Sequence, residues 1–425
     1  SIDFSQAQVT YGDEEPLAFS FYHPTYLKEP LKTPCYLIHT NKRTHDIINK
    51  NLTKSAMYSG EITGVGPRYC PSIEDKLVRF KDKERHQLFL EPESEHLETI
   101  YLQGFSTSMP DVIQDEMIHS LVGLENAVIE KHGYAIEYDA IKPEQLKVTL
   151  ECKKIDNLYF AGQINGTSGY EEAAGQGLVA GANAALSFLN KEPLILSRTN
   201  SYIGLMIDDL IVKGTDEPYR LLTSRSEYRL YLRNDNADIR LSQIGYDIGL
   251  LGKEEYQLFT SRLNDRNELI KSLRKTTLSP KMLTKDLAKK FDTEPLSHGI
   301  NACDFLKRPE IDYLKIKEIL NLEFDNNTLK QVEIEIKYEG YIKKVIEQMG
   351  RTDKLYKIKI PIDIDYMQVA NLALEAQEKL NKFKPETIGH ASSISGINPA
   401  DITALQIYLE QKRRIYEHSK HNNIF

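Results

Sequence analysis

Apolar residues between Cys35 and Pro143 come in short runs broken by turn residues. Cys35-Tyr36-Leu37-Ile38-His39-Thr40 and Gln87-Leu88-Phe89-Leu90 have the length and side chains of strands, and Asp111 to Leu121 has the spacing of a helix. From about Arg198 onward helical patterns dominate. Ile334, Tyr338, Tyr341 and Val345 recur at i, i+4, i+7 and i+11, on one side of a single helix, although Gly340 costs that helix about 1 kcal/mol. Asn398-Pro399 predicts a cap and first turn for a terminal helix that carries Lys412-Arg413-Arg414. Its Ile402, Leu405 and Leu409 pack internally or meet a partner. Residues 278–327 are patterned more weakly, and a connecting region is expected within them. There is no internal repeat and no low-complexity tract.

Composition narrows the class. The 425 residues suggest about three domains at ~150 residues each. With 40% hydrophobic and 27% charged residues, a buried core is expected and disorder is not. No run approaches ~20 apolar residues and no basic-then-apolar leader opens the chain, so neither a membrane nor a secreted protein is expected. The four cysteines show no Cys-x-x-Cys spacing and fit reduced cytosolic thiols. Cys35, His39 and His45 match no zinc pattern. A formal charge of −8 argues against a general nucleic-acid coat and leaves room for a local basic face. The first residue is Ser, and patterned sequence begins at once; a piece of a longer protein is the expectation.

Three segments carry candidate chemistry. Leu158 to Ala161 reads as a buried strand, Gly162 to Gly169 as a glycine-rich loop, and Ser168-Gly-Tyr-Glu171 as a capping box opening a helix. That helix is rich in small residues (Ala173, Ala174, Gly175, Gly177, Ala180, Gly181), which let its backbone approach a sheet or a flat ligand. Its free N–H groups suit a diphosphate or the charge of a reduced flavin. Close helix packing without a ligand is the alternative. In Gly64 to Lys76, glycines and prolines fix the backbone around Cys70, where Arg68 can lower the thiol pKa or hold an anion. Equally, a lone cysteine can be a small buried hydrophobe. Arg225, Arg229 and Arg233 recur every four residues and on a helix form one stripe beside Tyr228 and Tyr231, suited to phosphates and unpaired bases, or else a solvated, ion-paired face. Glu171-Glu172 and Asp208-Asp209 read as cap and surface charges.

With these segments in place, the sequence resembles the MnmG (GidA) family of flavin-containing tRNA uridine 5-carboxymethylaminomethyl modification enzymes. The resemblance is carried in order by Pro34 to Asn41, Met57 to Gly60, Gly64 to Lys76, Phe89 to Pro92, Gly133 to Asp139, Phe160 to Gly181, Glu217 to Arg229, Asp235 to Asp238 and Lys337 to Tyr341. It implies an α/β fold: part of a FAD-binding domain of glutathione-reductase type, an inserted α+β domain and a helical C-terminal region. The implied boundaries are 1–63 for the remainder of the inserted domain, 64–195 for the second half of the FAD/NAD-binding domain, 196–330 for a helical linker domain and 331–425 for a partner-binding helical domain.

The resemblance further implies FAD, NADH and methylene-tetrahydrofolate as one-carbon donor, and glycine or ammonium as the source of the amine. The substrate would be the wobble uridine of a tRNA anticodon loop. The partners would be the tRNA-modifying GTPase MnmE and a second copy of the chain, in the cytoplasm. Gln163 matches a flavin-contacting glutamine, within the loop bounded by Gly162 and Gly169. Gly66, Pro67, Arg68, Tyr69, Cys70, Pro71, Ser72, Ile73, Glu74, Asp75, Lys76, Leu77, Val78, Arg79 and Phe80 match a nicotinamide-dinucleotide segment, and Cys70 a cysteine linked to activity. The family's initial Gly-x-Gly-x-x-Gly loop and a further functional cysteine are not in these residues; the expectation is an N-terminally truncated, inactive piece of an enzyme. Two rivals are a small-metabolite flavin oxidoreductase and a non-catalytic RNA- or GTPase-binding module.

Overall fold

The computed structural model describes residues 1–12, 20–22, 33–60, 72–94, 96–135, 139–215 and 217–422. They fall into two compact units, one of residues 1–141, 162–173 and 215–220 and the other of 142–161, 174–214 and 221–425.

The first unit is built on an antiparallel sheet in the order β1 (Gln8–Thr10), β2 (Cys35–His39), β3 (Gln87–Ser94), β4 (Leu97–Gln103). Ile38 lies opposite Leu88, and Leu90 opposite Leu102. The two-residue period puts Leu88 and Leu90 on one buried face. Among its described residues are the helices α1 (Lys42–Asn51), the single turn α2 (Ala56–Ser59), α3 (Ile73–Arg79) and α4 (Asp111–Ile118). Asn41 caps α1 by accepting the Thr44 N–H, and Thr44, Ile48 and Asn51 are its buried side. Ile48, Ile73, Leu77, Ile113 and Met117 join the sheet in one core. The expected strands and the Asp111 helix are therefore present.

Helix α5 (Tyr170–Phe188) starts in the first unit and runs on into the second. Within the second unit it lies close to α6 (Tyr202–Lys213): a Cβ on Gly175 would stand 3.2 Å from Ile203. Gly177 and Gly181 face open space, so only part of the small-residue surface is used for packing. Asn183 holds the chain returning from α5, accepting the Leu194 N–H at 2.7 Å and donating to its carbonyl at 3.0 Å. Every residue of α6 from Gly204 to Val212 is buried.

Beyond lie α7 (Ala237–Asp247), α8 (Lys253–Lys275), α9 (Lys285–Lys290), α10 (Ala302–Leu306), α11 (Tyr313–Leu320) and α12 (Asn326–Lys337), with a small pair of strands β5 (Thr277–Leu278) and β6 (Ile300–Asn301). Residues 278–327 are no connection: Leu283, Phe291, Phe305, Ile311 and Ile316 form a core closed by Leu269 and Leu273 of α8 and Leu329, Val332 and Ile336 of α12. Their helices have six, five and eight residues, too few turns for a period to show. The helix expected through Ile334 and Val345 is two helices, with Tyr338 ending α12 and opening α13 (Glu339–Lys357). The chain ends with α14 (Leu374–Phe383), α15 (Ile388–Ser393) and α16 (Pro399–Asn422). Asn398 caps α16 through the Ala400 and Asp401 N–H groups, and Ile402 and Leu405 are buried within the unit. Among the described residues no helix is long and apolar enough to cross a membrane.

Candidate functional site

The glycine-rich loop is held by its own backbone and by residues 215–220. Gly162 and Gly166 both have positive φ, 88° and 78°, a conformation open to glycine at no steric cost. Between them Gln163–Asn165 form a 3-10 turn. Thr167 pairs with Tyr219 in a parallel bridge, the Tyr219 N–H donates to the Gly166 carbonyl at 2.8 Å, and the Thr167 hydroxyl donates to the Gly162 carbonyl at 3.1 Å. Gln163 is exposed and Gly162 buried.

Two expectations for this segment fail. Leu158 to Ala161 form no strand: the segment makes one antiparallel bridge, Glu151 with Tyr159, and Leu158 is exposed. The apolar run reads as a strand only where neighbouring strands pair with it, and none of the described strands does. Nor does the capping box close, because the Ser168 hydroxyl is buried with no hydrogen-bond partner. The first turn of α5 is fastened instead by Glu172, 1% exposed, which accepts from Arg220 Nε at 3.1 Å. Gly169 leaves room beside it: a Cβ there would overlap the Glu172 carboxylate, which would have to move. This arrangement offers helix N–H groups, two glycines with unusual backbone angles and an unsatisfied hydroxyl around the Gly162, Gln163 and Gly169 loop. A flat, anionic cofactor fits such a loop.

Gly66, Pro67, Arg68, Tyr69, Cys70 and Pro71 lie outside the described residues. The remainder of that segment, Ser72 to Phe80, is α3 with its cap. The Ser72 hydroxyl accepts the Asp75 N–H at 3.2 Å. Ile73 and Leu77 enter the core. Glu74 is fully buried, and one of its oxygens accepts from the Ser55 hydroxyl at 3.0 Å and the Ser108 N–H at 2.9 Å. Asp75 pairs with Arg79 at 2.9 Å, and Lys76 donates to the Gly104 carbonyl at 2.8 Å. Val78 is half-buried, and Arg79 and Phe80 are exposed.

The arginine stripe is not helical. Arg225 ends a 3-10 turn, and residues 227–231 are turns. The Ser226 hydroxyl captures the Tyr228 N–H at 3.0 Å, a local bond that competes with helix. Arg233 is forked onto Asp235 at 2.8 and 3.0 Å and also donates to the Leu230 carbonyl. Arg225 and Arg229 are exposed. Tyr228 is buried, its hydroxyl bonded to Thr352 at 2.7 Å.

Asp208 and Asp209 are not surface charges. Both are buried around Arg198, itself 4% exposed, which donates to Asp208, to Asp209 at 3.5 Å and to Glu227 at 2.9 Å. Tyr356 donates to Asp208 at 3.0 Å, and His390 stands 3.4 Å from it. Burial, then the Asp208 charge, drive the Tyr356 hydroxyl pKa far up. Burial pulls the His390 ring below its ordinary value against the opposing pull of Asp208 and Glu386. The only hint in the sequence was two acids inside an otherwise apolar helix. His45 bonds the Thr40 hydroxyl at 2.7 Å.

A mixed α/β region with a glycine-rich loop into a helix, followed by two helical regions, defines the class. Residues 1–192 match the family described as Glucose inhibited division protein A, residues 253–345 the tRNA modifying enzyme MnmG/GidA C-terminal helical domain, and residues 348–423 its C-terminal helical bundle. The chain is 51% identical over 413 residues to the tRNA uridine 5-carboxymethylaminomethyl modification enzyme MnmG of Bacillus cereus, covering 97% of this chain and 65% of the relative. It is also 51% identical over 415 residues to that of Streptococcus pyogenes serotype M5, covering 96% and 65%. Aquifex aeolicus GidA in its form II crystal superposes with a TM-score of 0.82 at 45% identity, covering 96% of this chain and 65% of that one. The chain belongs to the MnmG/GidA family. It spans about 65% of the length of the curated relatives it matches.

Proposed function

We propose that this chain is part of a flavin-dependent enzyme that builds an aminomethyl or carboxymethylaminomethyl group on carbon 5 of the tRNA wobble uridine. The observation that carries this reading is the 51% identity, sustained over 413 residues, to an enzyme named for that modification. The Gly162, Gln163 and Gly169 loop and the first turn of α5 would hold FAD, and the segment from Gly66 to Phe80 would hold NADH. When bound, the flavin supplies redox chemistry and methylene-tetrahydrofolate the carbon.

Cys70 would add as thiolate to carbon 6 of the uracil, making an enolate whose carbon 5 attacks the electrophilic methylene. Loss of the carbon-5 proton and departure of the thiolate would restore the ring, and the amine of glycine or ammonium would displace the methylene's carrier nitrogen, which leaves with the proton the amine gives up. Arg68 would keep the thiol ionised. If another cysteine attacks, Cys70 would serve as general acid or base. The wobble base lies in a single-stranded loop, so drawing it into a pocket costs less than from a duplex. Arg225 and Arg229, both exposed, would take anticodon-loop phosphates, while Arg233 would hold the turn through Asp235. Residues 388–414 are the proposed contact for the GTPase MnmE, and the working form is a cytoplasmic homodimer.

In a full-length protein, Cys70→Ser should abolish modified-nucleoside formation, read by mass spectrometry of digested tRNA, while flavin absorbance persists. An undiminished yield would remove Cys70 from the chemistry. A purified chain with neither a flavin spectrum nor a tRNA gel shift would count against both binding assignments.

A further inference from the structure

The face of α1 and the 3-10 turn after it, Leu52–Lys54, is basic in an acidic protein. Residues 42–54 hold four cations, Lys42, Arg43, Lys50 and Lys54, against the single acid Asp46. All four cations are exposed, and none has an ion-pair partner among the described residues. They line one groove of about 1120 Å³ whose other wall is α4, presenting Glu116 and Asp115. One Asp115 oxygen already bonds His132 Nε2 at 2.8 Å, and its other oxygen is the one available. At ~1.5 Å per helical residue and ~2 Å in the 3-10 turn, the basic edge is roughly 18 Å long.

We infer that this groove is an RNA-binding surface: phosphates lie along the cations of α1, and 2′-hydroxyl or base amino groups face the carboxylates of α4. The inference rests on the tRNA reading above and adds a contact remote in sequence from Arg225 and Arg229. The acidic wall is what selects the occupant. A purely anionic partner, such as an acidic peptide or lipid surface, would set charge against Asp115 and Glu116. An RNA strand carries acceptors for cations on one edge and hydrogen-bond donors on the other. Phosphates recur at every nucleotide of an RNA strand, so an edge of roughly 18 Å spans several of them, enough for the four cations.

The test is equilibrium binding of unmodified tRNA transcript to the full 425-residue chain over a range of monovalent salt. The combined variant Lys42→Gln, Arg43→Gln, Lys50→Gln and Lys54→Gln should bind at least about tenfold more weakly at low salt. The slope of log affinity against log salt should lessen by about 0.7 to 0.9 per lost contact. Lys50→Gln with Lys54→Gln, a milder pair, should show about half the loss of slope, and circular dichroism should report both variants folded. Glu116→Gln should reduce the preference for RNA over DNA of the same sequence. Unchanged slope and affinity in the fourfold variant, with the parent binding tRNA and losing affinity on Arg225→Gln with Arg229→Gln, overturns this surface alone. A parent chain that binds no tRNA overturns the surface and the tRNA reading together. Loss of binding to phosphatidylserine vesicles with no change toward tRNA would assign the face to membranes and end the proposal.

Discussion

Arg198 sits where a guanidinium is hardest to replace. Its removal would leave Asp208 buried without its guanidinium partner, while Asp209 keeps Lys213 at 2.7 Å, and breaking a buried ionic group in this way costs about 3–5 kcal/mol. Arg198→Ala should therefore lower the urea midpoint sharply, and a shift below ~1 kcal/mol would show that water replaces the cation. His390 gives that cluster a pH signature. Its folded pKa lies below the ordinary 6.5, through burial first, with Lys153 and Arg198 adding to it and Asp208 and Glu386 opposing. The unfolded chain thus binds the proton more readily, and stability falls as pH drops from about 6.5 toward the depressed folded value. His390→Gln should flatten that fall in thermal melts; His39, His45 and His86, also lowered by burial, would keep part of it. At this scale the sequence showed little. Asp208 meets Arg198, Tyr356 and His390 across 10, 148 and 182 positions, and no local pattern encodes such a meeting.

Elements were more legible. β2, β3, α4 and α16 are set by local period and capping, so their residues announce them. What failed depended on partners or on competing short-range bonds: Leu158 to Ala161 has no paired neighbour, and Ser226 diverts the arginine segment from helix. Of the candidate site, the loop into α5 was visible because glycine spacing is a backbone property. The Glu172–Arg220 bond that fastens it was not. Two glycines test these junctions. Gly204→Ala would push a methyl into the Ser197 carbonyl and should cost about 1–3 kcal/mol in denaturant melts. Gly169→Ala should displace Glu172 from Arg220 and admit protease at the start of α5, seen as faster limited cleavage there; an unaltered cleavage pattern would mean the carboxylate simply turns away.

Across the whole molecule the dominance of helix beyond Arg198 followed from the change of period there, whereas the two compact units divide the chain at other positions, which no period marks. The packed nature of residues 278–327 did not, because brief helices contribute to a core without displaying a stripe. Phe305→Ala, at a fully buried site there, should cost about 3–5 kcal/mol and lower the melting of α8 to α12 in calorimetry.

The Arg198 cluster has one more consequence at this scale. One guanidinium and its carboxylates touch the turn at Glu227, the middle of α6 and, through Tyr356 and His390, two of the last helices. If those contacts open as a group, amide hydrogens in these four segments should trade for deuterium at a common rate. Arg198→Ala should quicken all four in step.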